Sequence, residues 1–328
     1  MRVLVATSLY LSGHGNWVAE QVSSLREAGL NVDVIFFNTK RSRLQYVLSI
    51  PTIARALRSR PYDVIHTHHT YMLLGVLMAR RLAGSDVPII LTNHEGELLD
   101  REARTRTWHP TSYLRHSMAV KRFAARRADF VIFVARRLAE VLHVERPYAV
   151  IPCGVDLRKF KPIDRQACRQ ELGLPLDTVV LFFPANPRRK GKRFELARAA
   201  YDIVRRRLPS AVLVTGGGID ADRMPVYYNA ADVVLQTSYC EASPTVVKEA
   251  LACEVPVVST DAGDTRELLD GLAHCAVCPE DAEAIAAQIL AHCAYRAEGG
   301  RERLRGKQLD LEQVAQRVTR VYERVLGT

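Results

Sequence analysis

Short runs of β-branched and aromatic residues alternate along the chain with longer stretches whose apolar residues recur every three or four positions. Val3 to Thr7 reads as a strand, and the next helical period runs from Trp17 to Ala28 and closes on Gly29. Strands follow at Val32 to Phe37, Tyr62 to His69, Pro88 to Glu97 and Asp129 to Val134, with a basic helix predicted between Arg41 and Arg60. The alternation restarts at Thr178 to Phe183, continues through a helix ending near Arg207, and returns to strands at Ala211 to Thr215, Ala231 to Ser238 and Val255 to Thr260. Strands that alternate with helices in this way pair in parallel, so the pattern predicts α/β units. Between the two series, Val150 to Pro162 holds two prolines and a glycine and reads as a linker. The predicted division is therefore residues 1–152, residues 153–308, and a closing helix in 309–328 with Leu311, Val314, Val318, Val321 and Val325 on one face.

Length agrees with that division, because 328 residues exceed one ordinary core. Hydrophobic residues make up 48%, enough for sizeable interiors. No run approaches the length of a membrane span and no signal-peptide pattern opens the chain, which leads us to expect a cytoplasmic protein. The seven cysteines are odd in number and scattered over the second half, which argues against a disulfide framework. Cys275 and Cys278 have zinc-like spacing without a second pair, and read as thiols at a strand edge.

Charge adds a class of partner. The chain carries 46 basic and 36 acidic side chains, a net +10. The excess concentrates between Arg101 and Arg137, where Trp108, Tyr113, Met118, Val120 and Phe123 are interleaved with arginines. Such a stretch suits an amphipathic helix on an anionic membrane, or a solvated basic face beside a phosphate-containing substrate. No nucleic-acid-binding signature accompanies the charge, so no nucleic-acid partner is expected.

The most informative stretch is Glu241 to Glu249. Ser243 suits a helix N-cap, Pro244 the first helical position, and Val246, Val247, Ala250 and Leu251 one buried face. Strands on either side make this a βαβ unit whose strand-to-helix loop lies at the ligand-binding edge. The first turn, with Thr245 and Val246, offers unpaired N–H groups and a partial positive charge to a phosphate. Glu241 at the mouth and Glu249 deeper in the helix are acceptors for hydroxyl groups on either side of that anion. A capped helix with two solvated glutamates is the plain alternative.

Other candidates sit at predicted strand ends. Arg188, Arg189 and Lys190 follow one strand and could clamp a diphosphate. Gly216 and Gly217 follow another and admit a close ligand. Near the start, Gly13 and Gly15 precede a helix without completing a dinucleotide fingerprint, which speaks against a nicotinamide cofactor. His66, His68, His69 and His94 come from separate loops without a carboxylate at ligand spacing. A metal site is not expected there, and His94 reads as a substrate contact.

Taken together, these motifs resemble the retaining nucleotide-sugar glycosyltransferases of family 4, over nearly the whole chain. Glu241 and Glu249, with seven residues between them, fit that family's two-glutamate motif. Ile151 to Asp156, followed by Phe160 and Pro162, is similar to its interdomain signature, with Cys153 where asparagine is common. Tyr228 to Asp232 and Glu249 to Val258 are similar to it as well. The resemblance implies a GT-B fold, two facing Rossmann-like domains with a cleft between them.

The resemblance also implies roles. Glu241 would hold donor-sugar hydroxyls and Glu249 the ribose. Backbone around Ser243, Pro244, Thr245 and Val246 would hold the diphosphate, with Gly216 and Gly217 lining the donor side. Lys190 with Arg188 or Arg189 would neutralise the leaving phosphate, and Gly13, Gly15 and His94 would line the acceptor side. No cofactor and no metal are implied. A UDP- or GDP-linked sugar would pass to a glycan or glycolipid hydroxyl in surface polysaccharide synthesis, at a cytoplasmic or inner-membrane location. Two departures stand out. Position 185 is alanine where the family carries arginine, and only nine residues separate Gly218 from Tyr228, where many relatives insert a strand and helix. A nucleotide-sugar epimerase of similar architecture and a non-catalytic sugar-nucleotide or anionic-lipid binding protein are the competing readings.

Overall fold

The computed structural model describes residues 1–8, 17–39, 41–42, 44–96, 99 and 117–328. It divides into two compact units. One holds the described residues up to Cys153 together with Leu311–Thr328, and the other holds Gly154–Asp310.

The first unit alternates β1 (Arg2–Thr7), α1 (Trp17–Glu27), β2 (Asn31–Phe36), α2 (Gln45–Ser59), β3 (Val64–His68), α3 (Thr70–Ala83), β4 (Ile89–Asn93), α4 (Met118–Ala125), β5 (Phe130–Phe133), α5 (Arg136–Leu142) and β6 (Tyr148–Val150). Its sheet is parallel throughout, in the order β2-β1-β3-β4-β5-β6. The strand order reverses between β1 and β3, which marks the crevice where open α/β sheets take ligands. The central strands β1, β3 and β4 are buried almost throughout, and β3 and β4 begin with apolar residues and end in buried polar ones, His66 to His68 and Thr92 to Asn93. α1 ends where Gly29 takes φ +88°, a conformation that needs no Cβ.

α2 starts and ends inside the predicted Arg41-to-Arg60 helix and continues through Pro51. That residue lacks the N–H that would reach the Val47 carbonyl, and both residues are exposed, so water can take the bond.

The second unit holds α6 (Arg165–Leu172), β7 (Val180–Phe183), α7 (Phe194–Arg207), β8 (Val212–Thr215), α8 (Met224–Ala230), β9 (Val233–Gln236), α9 (Thr245–Ala252), β10 (Val257–Thr260), α10 (Thr265–Leu269), β11 (Ala276–Cys278), α11 (Ala282–His292) and α12 (Gly300–Gly306). The sheet is again parallel, in the order β11-β10-β9-β7-β8, and its reversal lies between β7 and β9. Alternate strand residues feed opposite cores. Phe182, Val234 and Val257 pack with Tyr228, Val247 and Leu251, whereas Leu181, Val233 and Val258 pack with Ala200, Val204 and Ile289. β11 is an edge strand, and all seven cysteines are free thiols.

The closing helix, α13 (Leu311–Leu326), belongs to the first unit. Val314, Ala315, Val318, Val321 and Tyr322 pack there with Val18, Val22 and Leu25 of α1 and with Val3 and Val64 of the sheet. Each buried valine among them contributes roughly 1.5–3 kcal/mol on burial, so Val318→Asp would detach the helix.

Candidate functional site

The second sheet places two loops at its reversal point, one after β7 and one after β9. The loop after β7 turns through a short 3-10 segment, Lys190–Lys192. Thr237, just beyond β9, fixes that turn by donating its hydroxyl to the carbonyls of Lys192 (3.0 Å) and Arg193 (2.9 Å). The Tyr239 N–H bonds the Gly191 carbonyl at 3.0 Å. So held, the turn delivers Lys192, whose ammonium donates to Glu241 Oε1. Both side chains keep some exposure, 16% for the lysine and 20% for the glutamate, which leaves the pair open to a ligand.

The lysine singled out in the sequence, Lys190, lies on the same turn but projects into solvent, as do Arg188 and Arg189. Lys192, two residues on and not singled out in the sequence, is the cation that meets Glu241. Sequence spacing cannot show this, because residues on a 3-10 turn point a third of a turn apart.

Ser243 is also corrected. The helix α9 begins at Thr245, its N-cap position is Pro244, and no side chain caps it. The Ser243 hydroxyl instead donates to Asp264 Oδ2 at 2.5 Å and accepts from the ammonium of Lys248 at 2.6 Å. Lys248 is wholly buried. A charge-assisted chain therefore runs Lys248–Ser243–Asp264 beneath the loop that carries Glu241. With no side-chain cap, the N–H groups of the first turn, including Thr245 and Val246, have no partner within the helix.

Glu249 lies further along α9 and accepts at Oε2 from the Tyr228 hydroxyl at 2.5 Å. Burial, and then the adjacent carboxylate, push the Tyr228 phenol well above its ordinary range, so it stays protonated and donates. Tyr228 is wholly buried and belongs to the Tyr228-to-Asp232 segment noted in the sequence. Its bond to Glu249 is a link that spacing did not reveal.

Glycines shape the neighbouring loops. A Cβ on Gly216 would lie 2.4 Å from the Pro184 carbonyl oxygen, and one on Gly217 would meet Pro187 Cδ at 3.3 Å. The turn after β8 is thereby pressed against the loop after β7. Gly263, at φ +68°, lies where a Cβ would be 2.7 Å from the Ala242 carbonyl oxygen.

In the first unit, the carboxyl ends of β3 and β4 gather the histidines. His66 Nδ1 pairs with the Tyr322 hydroxyl at 2.7 Å and its Nε2 with Thr92 Oγ1 at 2.6 Å. His68 Nδ1 is 3.1 Å from His94 Nε2, and Cys153 Sγ is 3.5 Å from His94 Nδ1. Trp17 covers His94 with ring centroids 3.6 Å apart. Burial lowers His66 to about 3 and holds His68 and His94 well below the usual range. All three are neutral at pH 7, and His94 is a neutral hydrogen-bonding group.

Glu95 anchors the same edge. Its carboxylate takes the Lys121 ammonium at 3.0 Å, the Thr70 N–H at 3.1 Å and the His69 ring at 3.6 Å. Burial would raise it, but the His69 ring and the Lys121 ammonium hold it down at about 2. His69 itself is forced to φ +73°, a conformation that costs on the order of 1–3 kcal/mol. Among the described residues, no group of three or more histidine, cysteine, aspartate or glutamate side chains is placed to hold a metal ion.

Gly13, Gly15 and the basic stretch from Arg101 to Arg115 lie outside the described residues. The remainder of that stretch does not form one amphipathic helix. α4 stops at Ala125, Lys121 is buried against Glu95, and Arg122 bonds the Leu142 and Val141 carbonyls at 3.0 Å. Among the described residues, no helix is long and apolar enough to cross a membrane.

Comparison with known proteins identifies the family and the fold. Residues 11–159 match the family described as Glycosyltransferase Family 4, and residues 187–294 match Glycosyl transferases group 1. The chain is 25% identical to TuaC of Bacillus subtilis, a glycosyltransferase assigned to teichuronic acid biosynthesis, over 88% of each chain. It is 28% identical to a D-inositol 3-phosphate glycosyltransferase of Nocardiopsis dassonvillei over 72% of this chain and 64% of that one, so it spans just under two thirds of that relative.

Among solved structures, sucrose-phosphate synthase of Thermosynechococcus elongatus superposes with a TM-score of 0.78 at 20% identity, over the whole of both chains. Anabaena HepE in complex with UDP-glucose superposes at 0.69 and 19% identity, over 99% of this chain and 100% of that one. None of these matches favours an epimerase or a silent binding protein. Two parallel α/β units of this fold, matched in turn by a family 4 domain and a group 1 domain, identify the chain as a GT-B glycosyltransferase.

Proposed function

We propose that this glycosyltransferase moves a sugar from a nucleotide diphosphate sugar, UDP-linked in the first instance, to a hydroxyl of a glycan or glycolipid, with retention at the anomeric carbon and without a metal. The supporting observation is the meeting of Lys192 and Glu241 beside the uncapped start of α9. The complex of HepE with UDP-glucose supports UDP over GDP. TuaC supports a surface glycan as the product.

In this reading the diphosphate lies on the Thr245 and Val246 N–H groups, where the helix start favours an anion. Lys192 turns from Glu241 to the phosphate, with Lys190 and Arg188 or Arg189 completing a cationic rim. Glu241 is then free to accept from sugar hydroxyls, while Glu249, steadied by Tyr228, accepts from the ribose. The bond from the anomeric carbon to the phosphate oxygen breaks, and the acceptor oxygen bonds that carbon on the same face. The acceptor proton passes to the departing phosphate, so no side-chain base is required. Fixed cations stabilise the charge as it develops. His94, neutral and half-buried, contributes to the acceptor side as a hydrogen-bonding group.

The test is thermal unfolding against UDP, GDP and their sugars with EDTA present, followed by product analysis. A ligand at a hundredfold excess over its dissociation constant should stabilise by about 2.7 kcal/mol. We expect a response to a UDP-linked donor, loss of that response in Lys192→Ala, and a product of unchanged anomeric configuration by NMR. An inverted product, or dependence on a divalent ion, would overturn the corresponding part of the reading.

A further inference from the structure

We propose that the outward face of α2 and α3 is a docking surface for an anionic lipid bilayer. The two helices lie side by side and run in the same direction. A Cβ on Gly75 of α3 would be 3.0 Å from Ser49 Oγ and 3.2 Å from the Tyr46 carbonyl oxygen of α2. The Arg58 guanidinium at the far end donates to the Leu82 carbonyl. With their inner sides locked together, the outer sides form one surface.

That surface is apolar where a water-facing helix should be polar. Leu44 at the start of α2 is 68% exposed, Val47 62% and Leu48 56%, at the i, i+3, i+4 spacing of a single face. On α3, Met78 and Leu82 are 60% and 54% exposed. Scattered apolar residues need no explanation, but a cluster on two adjoining helices does. Charge indicates the occupant. Neither helix contains an aspartate or glutamate, and Arg55, Arg58 and Arg81 are exposed among the apolar positions. A second copy paired face to face would bring these arginines together, whereas an anionic bilayer neutralises them. Leucine and valine at one end with arginines further along match an interfacial helix that inserts shallowly and binds headgroups.

Resting on the reading above, this surface also names the acceptor class. α2 and α3 begin at the carboxyl edge of the first sheet, the edge that carries His68, His69 and His94. Docking there would hold that edge against the bilayer, where an acceptor hydroxyl on a lipid-linked intermediate would be presented.

The experiment is co-sedimentation of the full chain with vesicles of phosphatidylcholine alone and of phosphatidylcholine with phosphatidylglycerol, at low and high salt. The chain should pellet with the anionic vesicles and be released by salt. A variant carrying Leu44→Asp, Val47→Asp and Leu48→Asp should bind at least about tenfold more weakly. A second, carrying Arg55→Glu and Arg81→Glu, should lose the preference for phosphatidylglycerol. Circular dichroism confirms that both fold. Three results would overturn the proposal: no pelleting by the parent chain, binding unchanged in both variants, or a dimer that the aspartate variant dissociates without any vesicle binding. Pelleting needs neither donor nor turnover, so its failure is distinct from failure of the donor reading.

Discussion

Lys192 and Glu241 approach from opposite sides of the reversal in the second sheet and neutralise each other there. Each therefore masks the other until a ligand takes one of them. Lys192→Ala leaves Glu241 facing an incoming diphosphate with no counter-charge, and should lower turnover about a hundredfold. Lys190→Ala, on the solvent side of the same turn, should have a much smaller effect. A double-mutant cycle of Lys192→Ala with Glu241→Gln, read as donor affinity, should show coupling of at least about 1 kcal/mol. Additive losses would mean that the two side chains act separately.

Tyr228 supports Glu249 from the core. Removing its hydroxyl in Tyr228→Phe takes a donor from a carboxylate and should cost about 1.5–3 kcal/mol of stability. If Glu249 holds the donor as proposed, the donor KM should rise more than kcat falls, since that contact is weakened in the ground state as well as the transition state. Urea unfolding together with initial rates checks both expectations.

The buried Lys248–Ser243–Asp264 chain makes a different prediction. Lys248→Met leaves the Asp264 carboxylate without its distant cation and should destabilise by about 3 kcal/mol. Adding Asp264→Asn should restore part of that loss, because the uncompensated charge is then gone. If the double variant is less stable than the single one by the full cost of Asp264→Asn alone, the two groups are not coupled.

Acid should weaken the first unit well before it titrates carboxylates. His66 and His68 are buried neutral, with His66 lowered to about 3, while in the unfolded chain histidines titrate near their ordinary value of about 6.5. Below that value the unfolded chain takes up protons that the folded chain refuses, so stability falls as pH falls. The loss should reach about 1.4 kcal/mol per buried histidine by pH 5.5, or nearly 3 kcal/mol for the pair. Glu95, held at about 2, retains its contribution above about pH 4.3 and loses it only as pH drops from there. Unfolding midpoints between pH 7.5 and 5 test this, and His66→Asn should flatten the slope if the variant folds.

Much of this could be read from the chain because strands such as Val233–Gln236 are short and wholly apolar, while helices such as Phe194–Arg207 show one clear buried face. Periodicity locates such elements without reference to their partners. It failed where a partner decides the outcome. Ser243 looks like an N-cap, yet Lys248 and Asp264 compete for its hydroxyl and win. Lys121 looks like part of a solvated basic face, yet Glu95, distant in sequence, draws it into the interior. Lys192 went unremarked because its meeting with Glu241 depends on a three-residue turn that Thr237, just beyond β9, holds in place.

The helix Leu311–Leu326 completes the first unit although the whole of the second unit precedes it in the chain. During synthesis, the faces of Val18, Val22 and Leu25 that it covers stay bare while some 150 further residues are made, and His66 waits as long for Tyr322. The first-made half is thus the last to be finished, and its apolar face is open to aggregation until the sixteen-residue closure arrives.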